Sequence, residues 1–145
     1  MTARPEDLFF DEAYYRNGCG PEPYQRSVHW TRFFDGVADE IVRTLQPATV
    51  LDAGCAIGML TEALRARGAD ARGVDVSSYA ISQVPRELAP FCQVGSLTEP
   101  IEGHFDLVTC IEVLEHIPPR DSRQALRTLT QLTDTILFSS TPYHL

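Results

Sequence analysis

The sequence predicts an α/β fold built on a parallel sheet, and three observations support that reading. Short apolar runs alternate at least four times with segments of helical periodicity after residue 47, which is the pattern of successive strand–helix–strand units. The segments end where breakers stand, at Pro47 and Gly68. Polar clusters fall at the carboxyl ends of the strands, where open parallel sheets hold their ligands. A chain of 145 residues with 43% hydrophobic content is long enough for one core. A single domain is therefore expected over residues 1–145, with helices on both faces of the sheet and right-handed crossovers.

The elements follow in order. Residues 1–27 are rich in aromatic, Gly and Pro residues and read as a short helix followed by a turn-rich segment. From Val28 to Leu45 the apolar positions Phe33, Phe34, Val37, Ile41, Val42 and Leu45 recur at helical spacing. "ATVLDAG" is the first strand, Met59 to Arg67 a helix, "ARGVDV" the second strand and "SSYAISQV" a helix. "FCQVG" and "FDLVTCI" are the third and fourth strands. Asp121 stands where an N-cap is needed for "SRQALRTLTQL", and "TDTILFSSTP" closes the series as a fifth strand.

Composition excludes several classes. No run approaches the roughly 18 apolar residues of a membrane span. The N-terminal "MTARPEDLFFDEAYY" lacks the order of a signal peptide, so a cytoplasmic protein is expected. A net charge of −8 opposes binding to phosphate backbones, which disfavours nucleic acid as a partner. Arg65, Arg67 and Arg72 lie close in sequence and read as a solvated face. Cys19, Cys55, Cys92 and Cys110 show no CxxC spacing and read as free thiols.

The first loop carries the first chemistry. In "VLDAGCAIG" a strand runs into Gly54 and Gly58, which allow a tight turn and close backbone approach to a ligand. Asp52 precedes the loop, and Asp75 ends the next strand 23 residues later, where a carboxylate suits ribose hydroxyls. Asp75 as a cap for the following helix is the alternative reading. A dinucleotide fingerprint needs GxGxxG, but residues 56 and 59 are Ala and Met. Asp52 would also repel a pyrophosphate, whereas an ammonium and a sulfonium would favour it. The residues thus point to S-adenosylmethionine over a nicotinamide dinucleotide.

With these motifs the chain resembles the class I S-adenosylmethionine-dependent methyltransferases. "VLDAGCAIG" is similar to that family's first motif, "GVDVS" to its second-strand acid and "FDLVTCIEVLEH" to its fourth-strand motif, over about residues 48 to 141. The resemblance implies a Rossmann-like three-layer sandwich with strand order 3-2-1-4-5, a helical cap over residues 1–46 and a cofactor-binding core over 47–145. It also implies that Asp52, Gly54 and Gly58 hold the methionine part of S-adenosyl-L-methionine, that Asp75 holds the ribose, and that Gly95, Ser96 and Leu97 border the adenine. Cys55, Val76 and Cys110 fall in the same motifs and complete the expected cofactor wall. The family fold adds two strands after the fifth. Here the sequence stops at "STPYHL", so either the chain is shortened or a partner, such as a second copy, covers the fifth-strand edge.

"CIEVLEHIPP" places Glu112, Glu115 and His116 at i, i+3 and i+4, which one helical turn would gather on one side. Three readings stand side by side. The resemblance extends to methyltransferases in which an E-x-x-E-H arrangement and a later histidine hold a divalent cation. Mg²⁺ or Mn²⁺ on Glu112, Glu115 and His116, with His144 as the fourth ligand, is that reading. In the second, His116 is a metal-free general base, with Glu112 beside it as a catalytic group. In the third, the glutamates bond loop backbone and His116 packs under Pro118 and Pro119. Methyl transfer is an in-line displacement that gains most from positioning, so no catalytic triad is required. Tyr14, Tyr15, Tyr24 and Trp30 are candidates for a lid or for ordinary packing. The expected function is methyl transfer to a small-molecule hydroxyl acceptor. A non-catalytic binding module and a nicotinamide-dependent oxidoreductase are the rivals.

Overall fold

The longest helix of the chain shows how local signals set its elements. Val28–Leu45 begins at Ser27, whose hydroxyl accepts the Trp30 N–H at 3.4 Å. It ends at Gln46 in the left-handed conformation (φ 49°), immediately before Pro47. These are the capping and breaking residues that the helix needs. Its inward stripe of Phe34, Ala38 and Ile41 is buried. In the computed structural model, which describes residues 4–141, this helix is α3. No helix among the described residues is long and apolar enough to cross a membrane.

Two short helices precede it, α1 (Pro5–Phe9) and α2 (Glu12–Asn17). The sequence suggested one helix. Asp11 divides the segment by capping α2 with an accepted Tyr14 N–H at 3.0 Å. The core is β1 (Thr49–Ala53), α4 (Met59–Ala66), β2 (Asp70–Asp75), α5 (Ser78–Ser82), β3 (Cys92–Val94), β4 (Leu107–Ile111), α6 (Ser122–Leu132) and β5 (Ile136–Ser139). All strand pairs are parallel, in the order β3-β2-β1-β4-β5.

Alternating side chains divide the core between the two faces of this Rossmann-like sheet. Val50, Ala71 and Leu107 pack with α3 and α4 on one face. Leu51, Ala53, Val74, Val108 and Cys110 pack with Ala125, Leu129 and Leu132 of α6 on the other. Helices therefore cover both faces, although residues 95–106 cross from β3 to β4 without one. Asp121 is not the expected side-chain cap, because its helical backbone (φ −98°, ψ −9°) takes it out of capping geometry. Thr133 forms only an isolated bridge with Phe105, so the regular part of the fifth strand is shorter than the segment expected for it. The close arginines are offset by acids. Arg67 pairs with Asp39 (2.6 Å) and Asp35 (3.2 Å), and Arg65 with Asp70 (3.0 Å).

Candidate functional site

The loops that leave β1, β2, β3 and β4 meet at the carboxyl edge of the sheet. Leaving β1, the chain turns through three left-handed residues, Gly54 (φ 83°), Ala56 (φ 49°) and Gly58 (φ 83°). The end of β2 takes up the backbone donors of this loop. The Val74 carbonyl accepts from Gly54 N (2.7 Å) and Cys55 N (3.0 Å), and Asp75 Oδ2 accepts from Ala56 N (2.7 Å). Asp75 Oδ1 accepts the Ser77 N–H at 2.8 Å, while Ser77 itself caps α5. Burial raises the Asp75 carboxyl above its ordinary value in spite of these bonds. Asp75 is not the cap of the following helix, a place that Ser77 takes. It braces the turn into α5, and each oxygen keeps a further lone pair.

Asp52 has a different setting. It points inward between α4 and β4, where Oδ1 accepts from Thr109 (2.9 Å) and Oδ2 from Thr61 (3.3 Å). Burial lifts this acid to about 6, which outweighs the two hydroxyl bonds that lower it. Any influence it has on a ligand passes through the field beneath the loop. Gly54 makes the left-handed turn. Its bare face is covered by Val113, whose Cγ2 would lie 2.2 Å from a Cβ at position 54. Gly58 begins α4, and a Cβ there would come within 2.8 Å of Leu88 Cδ2.

The remaining expected cofactor positions divide into two groups. Gly95 N–H reaches the Asp75 carbonyl at 2.9 Å, and Leu97 is buried behind it. Gly95 and Ser96 line a groove of about 420 Å³ with Val74, Gln93 and Glu99. Ser96 turns its hydroxyl to Thr98 at 2.7 Å. Cys55 is buried in a small cluster with Val84, Leu88 and Cys92. Val76 meets the N-terminal segment, its carbonyl accepting from Arg4 at 2.8 Å. Cys110 lies fully buried toward α6, and burial pushes its thiol up to about 12. It takes no part in the edge.

The Glu-Glu-His group does not form the expected single face. Glu112 adopts a left-handed backbone (φ 54°) outside the short 3₁₀ turn Leu114–His116, so helical spacing does not apply to it. The Glu112 carboxylate accepts from Ser139 Oγ (3.0 Å), and the Glu115 carboxylate from Ser140 Oγ (3.0 Å). Hydrogen bonds from Thr141 and Ser139 hold Glu112 below the usual carboxylate range. His116 turns the other way, with Nε2 3.4 Å from the Tyr14 hydroxyl and its ring edge-on to Phe10 at 5.7 Å. Among the described residues no group of three His, Cys, Asp or Glu side chains could hold a metal ion. The expected Mg²⁺ or Mn²⁺ site on Glu112, Glu115 and His116 is corrected accordingly. His144 lies outside the described residues.

The N-terminal segment lies across this edge as a strap. Arg4 donates to Ser78 Oγ (2.9 Å) and Asp7 (3.2 Å), Ser77 Oγ donates to the Phe10 carbonyl (2.5 Å), and Tyr14 reaches His116. Tyr15 is buried beneath it, packed on Tyr24 (5.9 Å) and Tyr79 (5.8 Å). Trp30 stacks on Phe34 within α3, so it serves packing. Sequence reasoning missed Arg26. It pairs with Glu62 and donates to the Ile57 carbonyl in the glycine loop at 3.0 Å. Its buried Nε has no hydrogen-bond partner among the described residues. No local pattern marks this arginine, because its partners lie more than 30 positions away.

Comparisons with known proteins agree with this fold. A family profile described as a methyltransferase domain matches residues 24–144. The chain is 33% identical over 111 residues to a ubiquinone biosynthesis O-methyltransferase of Nitrosomonas europaea, covering 70% of this chain and 47% of that protein. It thus spans about half the length of such relatives. A magnesium protoporphyrin IX methyltransferase of Synechocystis, solved with bound SAH, superposes with a TM-score of 0.66 at 26% identity, covering 81% of this chain and 58% of that one. The SAM-bound structure of that enzyme gives a TM-score of 0.71 at 22% identity, over 98% of this chain and 79% of the other.

Proposed function

The chain belongs to the methyltransferase domain family, and on that premise we propose that it binds S-adenosyl-L-methionine and methylates a hydroxyl group of a small molecule. One observation supports the cofactor most directly. The glycine loop is fastened to the acid of the next strand through Ala56 N–H and Asp75 (2.7 Å), beside Arg26, whose buried Nε has no partner among the described residues. This donor set fits the ligand. An unsatisfied guanidinium N–H is costly to bury, and the methionine carboxylate is a group that would satisfy it. Asp75 has lone pairs left for ribose hydroxyls, and the groove beside Gly95 and Ser96 has room for a flat base.

When bound, the sulfonium supplies an electrophilic methyl carbon. The task of this chain is to hold an acceptor oxygen in line with it and to exclude water. Phe10 and Tyr14 of the strap supply apolar surface for that exclusion. His116, in the short turn after β4 and next to the strap, would take the hydroxyl proton. The hydroxyl class rests on the similarity to the O-methyltransferase named above.

Calorimetry with S-adenosylhomocysteine and with NAD tests the reading. Saturable binding of the first and none of the second is expected. Binding of NAD alone would replace the proposal with an oxidoreductase.

A further inference from the structure

One turn at the end of β4 touches three separate parts of the molecule. Glu112 and Glu115 reach the end of β5, Val113 covers Gly54, and His116 meets the strap. The conformation at its start is unusual. Glu112 is left-handed at φ 54°, a region that residues other than Gly, Asn and Asp rarely occupy. Two bonds to one residue hold it there. Its N–H donates to the Ser139 carbonyl (2.9 Å), and its carboxylate accepts from the Ser139 hydroxyl (3.0 Å). The next residue, Val113, then leaves the strand direction (φ −120°, ψ −45°), and its isopropyl group fills the face that Gly54 leaves bare.

We propose that Glu112 is a positioning residue for the glycine loop: clamped to Ser139, it holds Val113 on Gly54, so the end of β5 sets the shape of the loop after β1. The contacts support this order of cause. Gly54 and Cys55 are tied to β2 by their N–H groups, while the opposite side of the turn is closed by the Val113 side chain. Releasing Glu112 frees Val113, and the loop then opens on the side that β2 does not hold. The carboxylate acts through Val113, its own bond going to the Ser139 hydroxyl. Its bearing on cofactor binding rests on the functional reading given above.

The test compares Glu112→Ala, Ser139→Ala and Glu112→Gln, the last of which keeps an acceptor for the serine. Amide hydrogen exchange is followed without ligand. Exchange at Gly54, Cys55 and Ala56 is expected to quicken about tenfold in the two alanine variants, with Ala71 and Gly73 of β2 unchanged, because a local opening does not propagate through the strand. Glu112→Gln should return the loop to nearly the wild-type rate. In parallel, S-adenosylhomocysteine affinity should fall about tenfold in the alanine variants and recover in Glu112→Gln. Unchanged loop exchange in both alanine variants overturns the proposal, as does a uniform rise across β2. If the wild-type chain binds no S-adenosylhomocysteine, the cofactor reading fails, and the exchange rates still decide the coupling.

Discussion

The turns leaving β1 and β4 are neighbours in the sheet, and each passes through a left-handed residue that is not glycine, Ala56 in one and Glu112 in the other. They are stabilised by opposite means. The first is held through its backbone, three N–H groups being taken up by Val74 and Asp75. The second is held largely through side chains, with two glutamates reaching Ser139 at the end of β5 and Ser140 just after it, and a histidine reaching the strap. A loop fixed by its backbone needs small residues with particular torsions, and these show in a sequence. A turn fixed by side chains needs partners from distant elements, and those do not.

The largest effect on this comparison should come from Asp75→Ala. It leaves the Ala56 and Ser77 N–H groups without their acceptor, at about 1–3 kcal/mol for each buried donor. Urea denaturation should show a loss of that size, and S-adenosylhomocysteine binding should weaken with it. A variant as stable as the wild type would mean that the first loop is not held by its backbone. Gly54→Ala comes next. A Cβ at φ 83° and 2.2 Å from Val113 Cγ2 combines torsional strain with overlap, for an expected loss of about 2–4 kcal/mol. Adding Val113→Ala should recover part of it, and a double-mutant cycle measures how much. Strict additivity would show that the two turns do not meet.

The two turns also differ in how far the sequence shows them. The bounds of α3, the turn at Gly54 and Gly58 and the acid ending β2 are legible because each is set by residues within a few positions. The strand order follows from the family resemblance and is present. Thr109 beside Asp52, Val113 on Gly54 and Arg26 at Ile57 depend on the register between strands and on chain reversal. Neither leaves a local pattern. The Glu-Glu-His spacing misled for a related reason. Spacing of i, i+3, i+4 has meaning only on a helix, and Glu112 departs from one at the first residue.

A third prediction separates the loop from the acid beneath it. Asp52 is lifted to about 6 by burial, from an ordinary value of 3.8. The folded state therefore favours the protonated acid. This contribution to stability is complete below about pH 4 and is lost as pH rises through about 6. The change is on the order of 2–3 kcal/mol. Asp52→Asn should flatten that part of the stability–pH curve while leaving the bonds from Ala56 and Ser77 to Asp75 in place. An unchanged curve would assign the titration to another group. A cationic ligand near the loop should move the same midpoint downward, because positive charge favours the ionised form.

The smallest effect tests how the second turn grips the strap. Tyr14→Phe removes a hydroxyl 3.4 Å from His116 Nε2, a long separation for a hydrogen bond. It keeps the ring edge-on to Phe10 (5.1 Å), Tyr15 (5.1 Å) and His116 (6.1 Å). If ring packing carries the strap, the loss should stay near 0.5–1 kcal/mol, about the value of one modest bond. Phe10→Ala should then cost more, because it removes a half-buried ring from the same group. The reverse ranking would make the attachment polar. The turn after β4 would then resemble the loop after β1 in depending on hydrogen bonds, and the contrast between the two would narrow to which part of the residue supplies them.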